Sequence, residues 1–165
     1  MKFTATHLIS LLLVIAGVVV FMYSKYRVPP KVEFQQLTLV DLEGNSASLD
    51  DYAGKNIFIT MWATWCKDCL VEMPDLQHVK EQLADENFVF LAISDYDIEK
   101  ERAYATENDF DFTYLHMTES LKDIGIHAIP TNYIINQEGK VVYEKVGADL
   151  WREDATIQMI KDLVK

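Results

Sequence analysis

Cysteine is scarce in this chain: 2 of 165 residues, Cys66 and Cys69, separated by only two positions. A disulfide scaffold needs several bridges and an ordinary structural zinc site needs four ligands, so neither organises this fold. The four histidines, His7, His78, His116 and His127, show no paired spacing that could complete a metal site. Excess positive charge is also missing. The formal net charge is −11, and all 26 acids lie beyond Arg27 together with 12 of the 15 lysines and arginines. Nucleic acid is therefore not an expected partner. The acidity reads as a solvated surface. The acid-rich stretch 95–111 contains no Asp-x-Asp-x-Asp-Gly loop, which argues against calcium. What the chain does have is length for one domain and an apolar content of 50%, enough for a real core.

Residues 8–23 form an uncharged apolar run between Lys2 and the pair Lys25 and Arg27. The wider stretch 4–24 approaches the ~20 residues that a bilayer-crossing helix needs. No Ala-x-Ala-like cleavage site follows the run and no cysteine follows it for lipid attachment, so the reading is an uncleaved anchor over 1–27. Val28-Pro29-Pro30-Lys31 is a stiff linker within 28–32, because paired prolines favour an extended chain. The folded domain is expected over 33–165. The positive-inside count, with Lys2 on one side and Lys25, Arg27 and Lys31 on the other, mildly favours a cytoplasmic domain.

The two cysteines lie in Trp62-Ala63-Thr64-Trp65-Cys66-Lys67-Asp68-Cys69-Leu70-Val71-Glu72-Met73-Pro74. A β-rich run, 56–61, precedes them, and Leu70, Met73, Leu76, Val79 and Leu83 follow at helical spacing. The pair therefore sits where a strand hands over to a helix. Unpaired N–H groups and the positive dipole end favour an anion there, so Cys66 is expected to ionise readily and act as a nucleophile. Cys69, one turn on, is placed to attack a mixed disulfide formed on Cys66. A purely structural bridge is disfavoured, because closing so small a loop removes little chain entropy. A thiol-based metal carrier stays open, since thiolate pairs bind soft metals. A tethered, redox-inert interaction domain stays open too.

This block resembles the membrane-anchored, thioredoxin-like thiol-disulfide oxidoreductases of the TlpA/ResA kind, which carry Trp-Ala-x-Trp-Cys-x-x-Cys-x-x-Glu-x-Pro. Trp62, Ala63, Trp65, Cys66, Cys69, Glu72 and Pro74 match, and the resemblance runs from about Phe34 to Gly147 with Ile129-Pro130-Thr131 and Gly139. Lys67-Asp68 departs from it, lacking the proline common at the second inner position. The resemblance implies a reductant of exported protein disulfides, with a role in cytochrome c maturation among the family's uses. It also implies a membrane electron donor, a domain on the extracytoplasmic side of the cell membrane, and no cofactor beyond the Cys66–Cys69 disulfide. It places Pro130 as a cis-proline facing the cysteines, with Ile129 and Thr131 as an extended edge for a substrate strand, and Glu72 in the active site. A peroxiredoxin-like peroxidase is the enzyme rival, but that pattern places threonine where this chain has Ala63.

Glu72, three residues after Cys69, shares its helix face and could accept a proton from it. An exposed helix glutamate is the alternative. Trp65 is expected to cover the site as a substrate platform, Trp62 to be core, and Pro74 to kink the helix. His127 reads as a loop histidine, because no orienting group or oxyanion hole accompanies it.

The remaining elements complete an α/β reading. A hairpin is expected from 34–39 and 46–49 around Leu42-Glu43-Gly44-Asn45. Residues 88–94 form a buried parallel strand, 98–108 a helix, 112–115 a short strand and 120–124 a short helix. Strands 132–136 and 141–146 flank a turn needing Gly139, and a helix with Thr156, Ile157, Ile160, Leu163 and Val164 closes the chain. The order is that of the thioredoxin fold, with an N-terminal β-hairpin extension and one preceding transmembrane helix.

Overall fold

The computed structural model describes residues 14–17, 32–149 and 151–165. Residues 14–17 are helical; the rest of the expected anchor, and the linker as far as residue 31, lie outside the described residues. Among the described residues no helix is long and apolar enough to cross a membrane.

In chain order the domain runs β1 (Leu39–Asp41), β2 (Ser46–Ala47), β3 (Asn56–Met61), α1 (Lys67–Gln82), β4 (Phe88–Ser94), α2 (Ile98–Glu107), β5 (Thr113–Met117), β6 (Thr131–Ile135), β7 (Val141–Val146) and α3 (Asp154–Leu163). Among the described residues all seven strands join one sheet in the order β2-β1-β5-β4-β3-β6-β7. β3, β4 and β5 are parallel neighbours, while β6 and β7 on one side and β1 and β2 on the other pair antiparallel.

Strand parity sends alternate residues to two cores. Ile57, Ile59 and Met61 join Leu91, Ile93, Tyr133 and Ile135 beneath Phe34, Leu49, Leu121 and Ile126. Phe58, Phe90 and Ile134 face the other way, against Leu76 and Val79 of α1 and Ile157 and Ile160 of α3. Both faces are covered, which is why β3 and β4 read as continuous apolar runs. Two positive-φ glycines close the hairpins: Gly44 at 90° between β1 and β2, and Gly139 at 75° between β6 and β7.

Three expectations need correction. The hairpin exists, but Phe34–Gln36 is a 3₁₀ turn that buries Phe34, and pairing begins only at Leu39. Strand β6 starts one residue early, at Thr131. Residues 120–124 form successive turns, not a helix, with Asp123 N–H bonded to Ser120 O at 2.9 Å and Gly125 N–H to Lys122 O at 3.1 Å. Gly125, at φ 88°, ends the run before an α-helical turn can repeat.

Candidate active site

Parallel strands β3 and β4 end together, and the chain turns from β3 into α1 at that end. Trp62 N–H still bonds Ile93 O of β4 at 3.1 Å, and Cys66 N–H bonds Ala63 O at 3.0 Å, so the turn is tied down before the helix starts. Cys66 is the N-cap of α1, and its sulfur accepts a hydrogen bond from Cys69 N–H at 3.2 Å. The two sulfurs are bonded to each other. Both cysteines are buried with Trp62, Ala63, Met73 and Tyr114, and Ile129 packs against that cluster. Trp62 is core, as expected. The helix continues through Pro74, whose ring stands on the exposed side.

Ile129–Pro130 is a cis peptide. Pro130 O accepts from Gly147 N–H at 2.8 Å, and Thr131 Oγ1 donates to Ala128 O at 2.7 Å. Thr131 is buried and registered with both Met61 of β3 and Val146 of β7. It is therefore interior to the sheet and cannot be an open edge for a substrate strand. Ile129, half-buried and ahead of the first sheet residue, is the part of this segment left facing the site.

Trp65 is 63% exposed, and its ring meets that of Tyr96 edge-on at 6.4 Å between centroids. Beside it opens a cleft of about 260 Å³ lined by Trp65, Asp95, Leu121, Ile126, His127 and Ile129. Asp95 shapes that cleft, because its carboxylate accepts Leu121 N–H at 2.8 Å. His127 is exposed on the cleft.

Glu72 is not a surface residue: it is 3% exposed. Its Oε1 accepts from Asn132 Nδ2 at 2.7 Å and from Trp151 Nε1. Its Oε2 is buried with no hydrogen-bond partner among the described residues. Burial pushes the carboxyl up to about 7, against the two N–H bonds that lower it, with Asp149 and Asp75 adding to the rise. Glu72 is thus a buried acid that changes charge near neutrality. Asn132 and Trp151 carry no motif in the sequence. The one available signal was that a buried indole N–H needs an acceptor.

A family model described as Redoxin matches residues 27–160. The chain belongs to the redoxin family. Within it the chain is 28% identical over 149 residues to the thiol-disulfide oxidoreductase ResA of Bacillus cereus, covering 84% of this chain and 86% of ResA. It is 33% identical over 115 residues to the thioredoxin-like protein YneN of Bacillus subtilis, covering 67% of each. Among solved structures, the exposed lipoprotein thioredoxin Etrx1 of Streptococcus pneumoniae superposes with a TM-score of 0.63 at 25% identity, covering 76% of this chain and 97% of Etrx1. This redoxin is a thioredoxin-like thiol-disulfide oxidoreductase whose CxxC pair is Cys66 and Cys69.

Proposed function

We propose that the protein reduces disulfides of exported proteins, with its domain held on the extracytoplasmic side of the cell membrane by residues 1–27. The observation that carries the chemistry is Cys66 as N-cap of α1, its sulfur already accepting Cys69 N–H. After reduction the same N–H and the helix dipole favour a Cys66 thiolate. That thiolate attacks a substrate disulfide, forming a Cys66–substrate bond and releasing one substrate thiolate. Cys69 then loses its proton to Glu72 and attacks Cys66 Sγ. The Cys66–Cys69 bond forms, the mixed disulfide breaks, and the electron pair leaves on the second substrate sulfur. A membrane dithiol donor restores the reduced pair.

The exposed Trp65 and the cleft beyond it support a substrate strand laid beside Ile129 and the cis-Pro130. The extracytoplasmic reading rests on the apolar run 8–23 and on likeness to ResA and to a lipoprotein thioredoxin. The CxxC of an apocytochrome c is one exported dithiol that fits the chemistry. Two variants test the roles of the cysteines. Cys66→Ser should abolish insulin-disulfide reduction by the full chain, and Cys69→Ser should accumulate a mixed disulfide with substrate. Complexes trapped by Cys66→Ser but not by Cys69→Ser would reverse the assignment. Location is tested by a membrane-impermeant thiol reagent, which should label the reduced pair in intact cells whose outer layer is permeable. Labelling only after lysis would place the domain in the cytoplasm.

A further inference from the structure

We propose that Asn132 and Trp151 are positioning residues for disulfide exchange, fixing the Glu72 carboxyl through Oε1 alone so that Oε2 is the atom that carries the proton. The proposal rests on the proton-accepting role given to Glu72 above. Both N–H groups converge on Oε1, while Oε2 is buried and has no partner among the described residues. A proton placed on Oε1 would compete with two donors. On Oε2 it displaces nothing.

Neither neighbour can take the proton itself, since an indole N–H and an amide NH₂ only donate. Their influence therefore passes through Glu72. Each is held rigidly. The Trp151 ring packs edge-on against Phe58 at 5.2 Å and against Tyr143 at 6.2 Å, and it is fully buried. Asn132 sits in β6, registered with Thr60 of β3 and Lys145 of β7. It follows Thr131 and cis-Pro130 directly, so its bond to Glu72 ties the substrate-facing segment to α1.

The charged groups bearing on Glu72 are acids already occupied elsewhere. Asp75 of α1 is paired with Arg152, and Asp149 after β7 is paired with Lys145 at 3.1 Å. Both raise the Glu72 carboxyl along with burial, and the two N–H bonds are what hold it as low as about 7. Removing either bond should raise it further.

The test reacts the reduced full-length protein, in detergent micelles, with an aromatic disulfide that releases a coloured thiolate. The second equivalent of thiolate reports attack by Cys69. Its rate should rise with an inflection near pH 7 in the unaltered protein, matching the Glu72 carboxyl. In Trp151→Phe and in Asn132→Leu the inflection should move up by about one pH unit, the loss expected for one hydrogen bond to a charged acceptor. In Glu72→Gln it should vanish. An inflection that stays near pH 7 in Glu72→Gln, instead of giving way to the higher one of the Cys69 thiol itself, defeats the proton role of Glu72. One that vanishes there but does not move in the folded Trp151 and Asn132 variants defeats the positioning role alone. A measurement on the unaltered protein needs no variant to fold. The Trp151 indole N–H resonance should titrate with the same midpoint, and one that stays fixed from about pH 5 to about pH 9 overturns the proposal.

Discussion

Two glutamates lie buried in this domain, Glu72 in α1 and Glu101 in α2, at 3% and 1% exposure. Glu101 has a partner for each oxygen: Oε1 accepts Tyr96 N–H at 3.3 Å and Oε2 lies 3.0 Å from His116 Nδ1. Glu72 has two donors on one oxygen and none on the other. Burial is the same and the wiring differs. Where both oxygens are partnered, the side chain is a structural tie. Here it joins α2, β5 and the Tyr96 turn that faces Trp65. With only neutral donors and one vacant oxygen, the carboxyl can exchange a proton. The site therefore follows the arrangement of donors, and burial alone would not have picked it out.

The largest effect expected from this contrast is on stability at Glu101. Glu101→Leu strips the acceptor from half-buried His116 and one of the two acceptors of Tyr96 N–H, which keeps Ser94 Oγ at 3.3 Å, and should cost about 2 kcal/mol in denaturant unfolding. The inflection near pH 7 assigned to Glu72 should stay where it is. A loss below about 0.5 kcal/mol would mean that Glu101 is no structural tie, and the contrast between the two acids would fail.

Glu72→Gln should do the opposite, and only at high pH. The folded protein holds the Glu72 proton until about pH 7, while the unfolded chain releases it near the ordinary value of 4.5. Between those values the native state binds more protons than the unfolded state, so this group's contribution to stability falls as pH rises and is fully lost above about 7. Glutamine keeps an oxygen for Asn132 and Trp151 but never has to ionise. The variant should therefore be more stable than the unaltered protein by about 2 kcal/mol at about pH 8, with the difference gone by about pH 4. Unfolding curves at the two pH values decide it: equal midpoints at the higher pH would show that the carboxyl ionises without penalty.

The distinction between these acids was not legible in the sequence, although much around them was. The strand-to-helix handover at Cys66, the apolar β3 and β4, and the Gly44 and Gly139 turns are all encoded by residues within a few positions of one another. The partners of Glu72 are 60 and 79 residues away, so no local period points to them. The offset from Cys69 placed Glu72 near the site but could not tell an exposed acid from a buried one. Glu101 hides in a different way, as one acid in the acid-rich stretch 95–111 that reads as a solvated face. Its partner His116 lies on a strand the sequence pattern places only approximately. Residues 120–124 turn instead of forming the expected short helix because a glycine at positive φ follows them.

The smallest effect expected belongs to two exposed charges. Lys67 and Asp68 stand exposed at the start of α1, directly between the cysteines. The Lys67 ammonium favours a Cys66 thiolate, which stabilises the reduced pair and makes it more oxidising, while the Asp68 carboxylate acts in reverse. Solvent and salt screen both, and their opposite signs largely cancel. Lys67→Gln should therefore shift the redox potential towards reducing and Asp68→Asn towards oxidising, each by about 30 mV or less. Equilibration against a glutathione or dithiol buffer would measure both shifts. If exposed charges beside the sulfurs moved the potential by far more than this, proximity would outweigh burial, and the emphasis placed on Glu72 would be misplaced. If both substitutions moved it in the same direction, charge stabilisation of the thiolate would be the wrong account, and the backbone of a CxxC lacking proline would have to set the potential instead.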